Sequence, residues 1–311
     1  MAAIKKTIYA ALLANLFIAI TKFIAGGISN SAAMIAEGVH SVVDTINQLL
    51  LLMGINLSKR NPDKYHPLGY GKELYFWSFV VSILIFGLGG GLSVYQGITH
   101  ILHPEALGDP KWSFIVLAIS LVFEGTSLVI AAIEFNKLRD GQSWWQAIVN
   151  SKDPSTFLVL FEDSAAVAGL SIAALFLYLS HHLNKPYLDG VASLLIGVIL
   201  VIVSLILARE SRSLLMGEGI KKQTKQRICK IVEGDKAVLK LMHLLSTYQS
   251  PEEVLLMLII QFKPNLSTAD IDESIDRIRG EIKKEFGRIR FVIIQPDAFK
   301  GKINPDVQTY I

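Results

Sequence analysis

His40 and Asp44 are the two residues of this sequence whose types and spacing point most directly to chemistry. They lie four residues apart in an apolar stretch that runs from about Ser31 to Leu57, so a helix would place both side chains on one face, one turn apart. An imidazole nitrogen and a carboxylate oxygen in that arrangement can hold one divalent metal ion. Ionisable groups at membrane depth are costly and usually face a cavity or a partner. The pair therefore predicts a metal-binding or proton-carrying role.

A second acidic pair, Glu162 and Asp163, lies in a later apolar stretch. Adjacent residues point about 100° apart around a helix, so both side chains cannot aim at one point equally well. We expect one of them to bind the cation while the other orients it or carries a proton.

Other polar residues in the apolar stretches have structural interpretations beside functional ones. Glu37 fits either a charge near the mouth of its helix or a metal-entry residue, and the structural role is favoured. Lys22 is expected to snorkel or to pair with a nearby carboxylate. Asp189 follows Pro186 and two further residues, which favours a cap on the helix that begins there.

The elements that must position these groups are membrane helices. Of the 311 residues, 51% are hydrophobic and 18% are charged, and the mean hydropathy is +0.45, which is typical of a multi-span membrane protein. A span needs roughly 20 apolar residues, and six segments qualify: 7–27, 31–57, 74–101, 112–135, 156–181 and 187–210. The segment from Gly26 to Asn30 predicts a tight turn, so the first two helices form an antiparallel hairpin.

Lysine and arginine are concentrated on one side of these spans. They lie at the N-terminus, between the second and third spans, and between the fourth and fifth, whereas the opposite loops carry Lys111 and Lys185. This bias predicts cytoplasmic N- and C-termini, and we expect the chain in the bacterial inner (plasma) membrane. The net charge of +3 is too small to indicate nucleic-acid binding, and the single Cys229 excludes a disulfide within one chain.

After about residue 215 the composition becomes ordinary and charge-rich. The boundaries predicted are 1–215 for a six-helix transmembrane domain and 216–311 for a cytosolic domain. The pattern predicts a helix over 220–233, strands over 238–246 and 254–262, a helix over 270–286 with a capping box at Ser267 and Asp270, and a strand over 290–295. The order αββαβ indicates a small ferredoxin-like α+β domain with its helices on one face of the sheet.

The residues resemble the cation diffusion facilitator family of zinc transporters, and the resemblance covers nearly the whole chain. Five segments carry it: 36–44 (AEGVHSVVD), 66–72 (HPLGYGK), 102–105 (LHPE), 162–164 (EDS) and 189–193 (DGVAS). The Glu-Asp pair is similar to the branch that includes the mitochondrial zinc exporters. The resemblance implies a homodimer in the lipid bilayer that exchanges cytosolic divalent metal for protons and needs no cofactor.

The family's transport site uses two residues four apart on the second span and two on the fifth. The resemblance implies His40, Asp44 and Asp163 as three of these ligands, but Val159 stands at the fourth position and cannot bind metal. Glu162 or water would supply the missing ligand, and Glu124 on the fourth span would join the same network. In the cytosolic domain, Ile260 and Gln295 replace expected histidines, so no metal is expected there.

The predicted function is therefore Zn²⁺ efflux coupled to protons, by alternating access at a site between the second and fifth spans. One histidine with several carboxylates also suits Mn²⁺ or Fe²⁺, so efflux of either remains an alternative. A membrane scaffold has no need for charged residues within its spans. An intramembrane metal enzyme is the other rival, but the sequence has no His-Glu-x-x-His, nucleophile motif or phosphate loop, so we expect no enzyme.

Overall fold

The computed structural model describes residues 2–106, 108–139 and 141–297. Its helices and strands, in chain order, are α1 (Ala2–Ser29), α2 (Ala32–Ser58), α3 (Glu73–Leu84), a π-helical segment (Ile85–Gly91), α4 (Leu92–Leu102), α5 (Lys111–Leu138), α6 (Trp144–Asn150), α7 (Pro154–His182), α8 (Tyr187–Met216), α9 (Lys222–Gly234), β1 (Val238–Ser250), β2 (Glu253–Phe262), α10 (Thr268–Glu285) and β3 (Ile289–Pro296).

The chain divides into two compact units. Within the described residues, the first comprises 2–57 and Glu73–Arg212, and the second comprises Ser58–Lys72 and Ser213–Asp297. The loop Ser58–Lys72 therefore belongs with the C-terminal unit, which a single boundary near residue 215 does not capture.

The first unit is a bundle of membrane helices. Among the described residues, five stretches are long and apolar enough to cross a bilayer, namely Ala32–Ser58, Glu73–Leu102, Lys111–Lys137, Phe157–His182 and Tyr187–Met216. Helix α1 adds the apolar segment Asn15–Ser29. These correspond to the six predicted membrane helices, so the multi-pass membrane fold is confirmed. The third predicted membrane helix, Glu73–Leu102, is interrupted by the π-helical segment Ile85–Gly91, which contains a run of glycines. This interruption was not predicted from the sequence.

The connection between α1 and α2 differs from the prediction. Helix α1 continues through Gly26 and Gly27 to Ser29, and the turn consists of Asn30, with a φ of 53°, and Ser31. Asparagine tolerates this left-handed conformation better than most residues. At Gly26 an added Cβ would lie 2.9 Å from Ile35 Cδ1, so this glycine serves close helix packing and not the turn itself.

The third and sixth spans are in backbone contact. A Cβ added at Gly97 on α4 would lie 2.5 Å from the backbone nitrogen of Leu194 on α8, and one added at Gly197 would lie 2.7 Å from the nitrogen of Val94. Small residues allow this approach between helices in a membrane, where van der Waals contact and hydrogen bonds hold the helices together.

The second unit has the predicted αββαβ order. Strand β2 is central, antiparallel to β1 and parallel to β3. Helix α9 contacts β1 and buries Ile228 and Val232, while α10 contacts β3 and buries Ile278 and Ile282. The predicted capping box of α10 at Ser267 is present. The strands extend past the predicted limits, because hairpin pairing continues to Ser250 and Glu253.

Candidate metal centre

His40 and Asp44 lie on one face of α2, as their spacing requires. His40 Nε2 is 3.5 Å from Asp44 Oδ2, and both side chains are largely buried. Within the described ranges, neither ring nitrogen of His40 has a hydrogen-bond partner, and the same holds for Asp44 Oδ1. Buried polar atoms are normally paired, so these orphaned atoms are suited to receive a cation.

The acidic pair on α7 is held by two neighbours that the sequence analysis did not single out. Asn47 Nδ2 on α2 donates to Glu162 Oε1 at 2.7 Å, and Ser127 Oγ on α5 donates to Asp163 Oδ2 at 2.7 Å. Asn47 lies three residues after Asp44, so the polar face of α2 continues for another turn. The three-residue spacing from Asp44 is the signal in the sequence that could have identified Asn47 as part of the site.

The acidic side chains of three helices converge on one small cavity. Its volume is about 20 Å³, and a cavity needs roughly 10–15 Å³ to hold one water molecule. The lining residues are Asn15, Ile18, Ser41, Asp44, Gln48, Glu124, Glu162 and Asp163. The structure thus brings together the predicted Asp44, Glu162 and Asp163 with Glu124, which was expected to join the same network.

The converging groups are not closed into a coordination shell in this conformation. No set of three or more histidine, cysteine, aspartate or glutamate side chains in the described part of the chain has a metal-holding arrangement. His40 touches Asp44 but does not line the cavity. If these groups hold a cation together, the carboxylates and His40 must draw closer around it than they stand in this conformation.

Glu37 has a different partner. Lys22 on α1 donates to Glu37 Oε2 at 3.1 Å and to Ser41 Oγ at 2.8 Å, and both charged side chains are fully buried. This is the carboxylate pairing expected of Lys22. Glu37 is absent from the cavity lining, so the structure does not place it with the other acidic residues.

Asp189 does not have the predicted role. It was expected to cap α8, but it caps α2 from across the bundle: Oδ1 accepts from Ser31 Oγ at 2.6 Å, and Oδ2 accepts from the backbone nitrogens of Ala32 and Ala33 at 2.5 and 3.2 Å. The first amides of a helix have no partner within the helix, and a carboxylate there also opposes the helix dipole. Asp189 therefore fixes the N-terminal end of the helix that carries His40 and Asp44.

Known proteins match the chain at the level of family and of individual relatives. Residues 8–216 match the model of the cation efflux transmembrane domain. A proton-coupled zinc antiporter of Xenopus laevis, named as mitochondrial, is 36% identical over 85% of this chain and 48% of its own length. Metal tolerance protein C4 of Arabidopsis thaliana is 32% identical over 75% of this chain and 52% of its own length.

A more distant match is the manganese efflux system protein MneP of Bacillus subtilis, which is 23% identical over 95% of this chain and 96% of its own length. The chain spans about half the length of the Xenopus and Arabidopsis relatives.

Proposed function

The chain belongs to the cation efflux family, and from this premise we propose that it carries a divalent metal cation, first of all Zn²⁺, across a membrane in exchange for protons. The family is one of transporters, so the chain is not an enzyme. The observation that carries the proposal is the convergence of Asp44, Glu124, Glu162 and Asp163 on one cavity within the membrane helices.

The proposed substrate site comprises His40 and Asp44 on α2 with Asp163 and Glu162 on α7. Nitrogen and oxygen donors of this kind suit Zn²⁺. Zinc is supported by the name of the Xenopus relative, and manganese by that of the Bacillus relative. Glu124 on α5 adds a fourth carboxylate near the cation, which would favour Mn²⁺ or Fe²⁺ if it took part directly.

Proton coupling follows from competition for the same atoms. A metal ion binds the neutral imidazole and the ionised carboxylates, so protons displace it and its affinity falls as acidity rises. Clustered carboxylates are costly at membrane depth without a cation or a proton. The empty site is therefore expected to carry protons in the opposite direction when the helices rearrange to face the other side.

We also propose that the chain works as a homodimer with both termini in the cytoplasm. The lysine and arginine bias supports this orientation. The plasma membrane remains the expected location for a bacterial chain. The Xenopus relative is named as mitochondrial, and an inner mitochondrial membrane would present an equivalent pH gradient.

The test is zinc uptake by the full chain in liposomes, with a zinc-sensitive dye inside and an imposed pH gradient. We expect uptake to depend on the gradient and to be accompanied by counterflow of protons. Asp163→Asn should abolish it, whereas Asp109→Asn, an exposed loop substitution, should not change it. Uptake that ignores the gradient, or that survives Asp163→Asn at the full rate, would refute the proposal.

A further inference from the structure

Lys22 is a fully buried ammonium within the bundle of membrane helices. It reaches from α1 to α2, where its two hydrogen-bond acceptors are Glu37 and Ser41. Burying a charge is expensive unless it is paired. Lys22 therefore forms its ion pair with Glu37. Removing either side chain leaves the other as a buried charge without a counter-charge.

Glu37 stands on the same face of α2 as the proposed ligands. It lies three residues before His40 and seven before Asp44, spacings that put side chains one and two turns apart on one helix face. By position alone it could supply another oxygen to a cation at His40. Its absence from the cavity lining thus needs a cause.

Two features of the structure hold Glu37 away. Its Oε2 is bound by Lys22, and its Oε1 lies in a gap left by Gly169 on α7, where an added Cβ would overlap this oxygen. Oε1 has no hydrogen-bond partner within the described residues. The carboxylate is therefore kept in place by Lys22 and by the space at Gly169.

We infer that Lys22 is a specificity-determining positioning residue, which withholds the Glu37 carboxylate from the transported cation. The inference rests on the proposed function. With Glu37 withheld, the cation meets one imidazole and the carboxylates of the cavity. With Glu37 released, the site gains an oxygen donor, and an oxygen-rich site favours Mn²⁺ relative to Zn²⁺.

Lys22→Met would leave both oxygens of Glu37 without a partner. The carboxylate can then be neutralised by a proton or by the substrate cation. Where the cation takes it as an additional oxygen donor, Mn²⁺ gains relative to Zn²⁺, so we expect the preference for Zn²⁺ over Mn²⁺ to fall by roughly tenfold. The double variant Lys22→Met/Glu37→Gln removes the charge that Lys22 controls, and should restore the wild-type preference. Glu37→Gln alone should weaken both metals equally, because the unpaired ammonium repels any cation.

Gly169→Ala perturbs the same carboxylate while Lys22 stays in place. The added methyl group would push Glu37 out of its gap, so the Zn²⁺/Mn²⁺ preference should again fall. Gly87→Ala is the matched control, because a Cβ at this membrane glycine meets no heavy atom within 4 Å. The comparison of Gly169→Ala with Gly87→Ala also tests the inference if Lys22→Met does not yield folded protein.

The experiment is competition between Zn²⁺ and Mn²⁺ for the purified full chain, read as the ratio of the two dissociation constants. A weaker preference for Zn²⁺ over Mn²⁺ in Lys22→Met or in Gly169→Ala, with the wild-type preference regained in Lys22→Met/Glu37→Gln, supports the inference. The inference is overturned if the preference is unchanged in both Lys22→Met and Gly169→Ala. It is also overturned if Glu37→Gln by itself alters the preference. Failure of the wild-type chain to bind either metal would instead refute the proposed function, and the inference with it.

Discussion

Replacing Asp189 by alanine should destabilise the membrane unit by an amount that the structure allows us to work out. The carboxylate is fully buried and accepts hydrogen bonds from Ser31 and from the backbone nitrogens of Ala32 and Ala33. A buried donor left without an acceptor costs about 1–3 kcal/mol. Alanine leaves these two backbone amides without an acceptor, but it also removes the cost of burying a charged carboxylate. We therefore expect the free energy of unfolding to fall by about 3 kcal/mol.

This loss corresponds to a fall in melting temperature of about 6–12 °C, since a unit of this size shifts by roughly 2–4 °C per kcal/mol. The assay is thermal unfolding in detergent followed by tryptophan fluorescence. The four tryptophans, at 77, 112, 144 and 145, all lie in the membrane unit, so the signal does not report on the C-terminal unit.

Two variants calibrate the measurement. Asp189→Asn keeps one acceptor oxygen and should lose less than Asp189→Ala. Asp109→Asn removes a surface ion pair with Lys111 and should shift the melting temperature by less than about 1 °C, because exposed pairs contribute little. If Asp189→Ala melts within the same range as Asp109→Asn, the cross-bundle cap does not stabilise α2 and the reasoning fails.

Three further predictions concern other parts of the chain. Val159→His should raise the Zn²⁺/Mn²⁺ binding ratio by supplying a nitrogen one turn before the acidic pair of α7, and an unchanged ratio in competition binding would contradict this. Burial and then the nearby Glu233 raise the pKa of the Cys229 thiol, so its reaction with a disulfide reagent at pH 7.5 should be several-fold slower than that of glutathione; an equal rate would argue against it. Burial alone would raise the pKa of Asp235, but hydrogen bonds led by Arg277 outweigh it and lower the pKa below its usual value. This pairing stabilises the fold above the unfolded pKa of about 3.9 and is lost as pH falls through the lower folded value, so Asp235→Asn should lower the calorimetric melting temperature of the C-terminal unit at pH 7 but less at pH 3. A deficit equal at both pH values would refute it.

The helices and the order of the C-terminal elements could be predicted because their signals are local. Hydropathy over about 20 residues defines a span, and Ser267 with Asp270 defines a helix start within four residues. The π-helical segment Ile85–Gly91 was not predicted, because glycine permits many backbone conformations and only packing against the neighbouring helices selects one.

The partners of the buried polar groups depend on tertiary structure and could be predicted only in kind. The sequence indicated that Lys22 pairs with a carboxylate, but not that Glu37 is the one. It indicated that Asp189 caps a helix, but the helix is α2, whose first residue, Ala32, precedes Asp189 by 157 positions. Ser127 was missed because a lone serine in a membrane helix usually bonds to its own backbone.

The convergence of α2 and α7 on one cation is tested most directly by the zinc affinity of the purified chain when one carboxylate on each helix is neutralised. Wild-type protein is expected to bind Zn²⁺ more weakly at pH 6 than at pH 7.5. Asp44→Asn and Asp163→Asn should each reduce the affinity at pH 7.5 by at least about tenfold, with the double variant losing less than the product of the two, because both act on one ion. Wild-type affinity in either single variant, or strictly multiplicative losses in the double variant, would contradict a shared site.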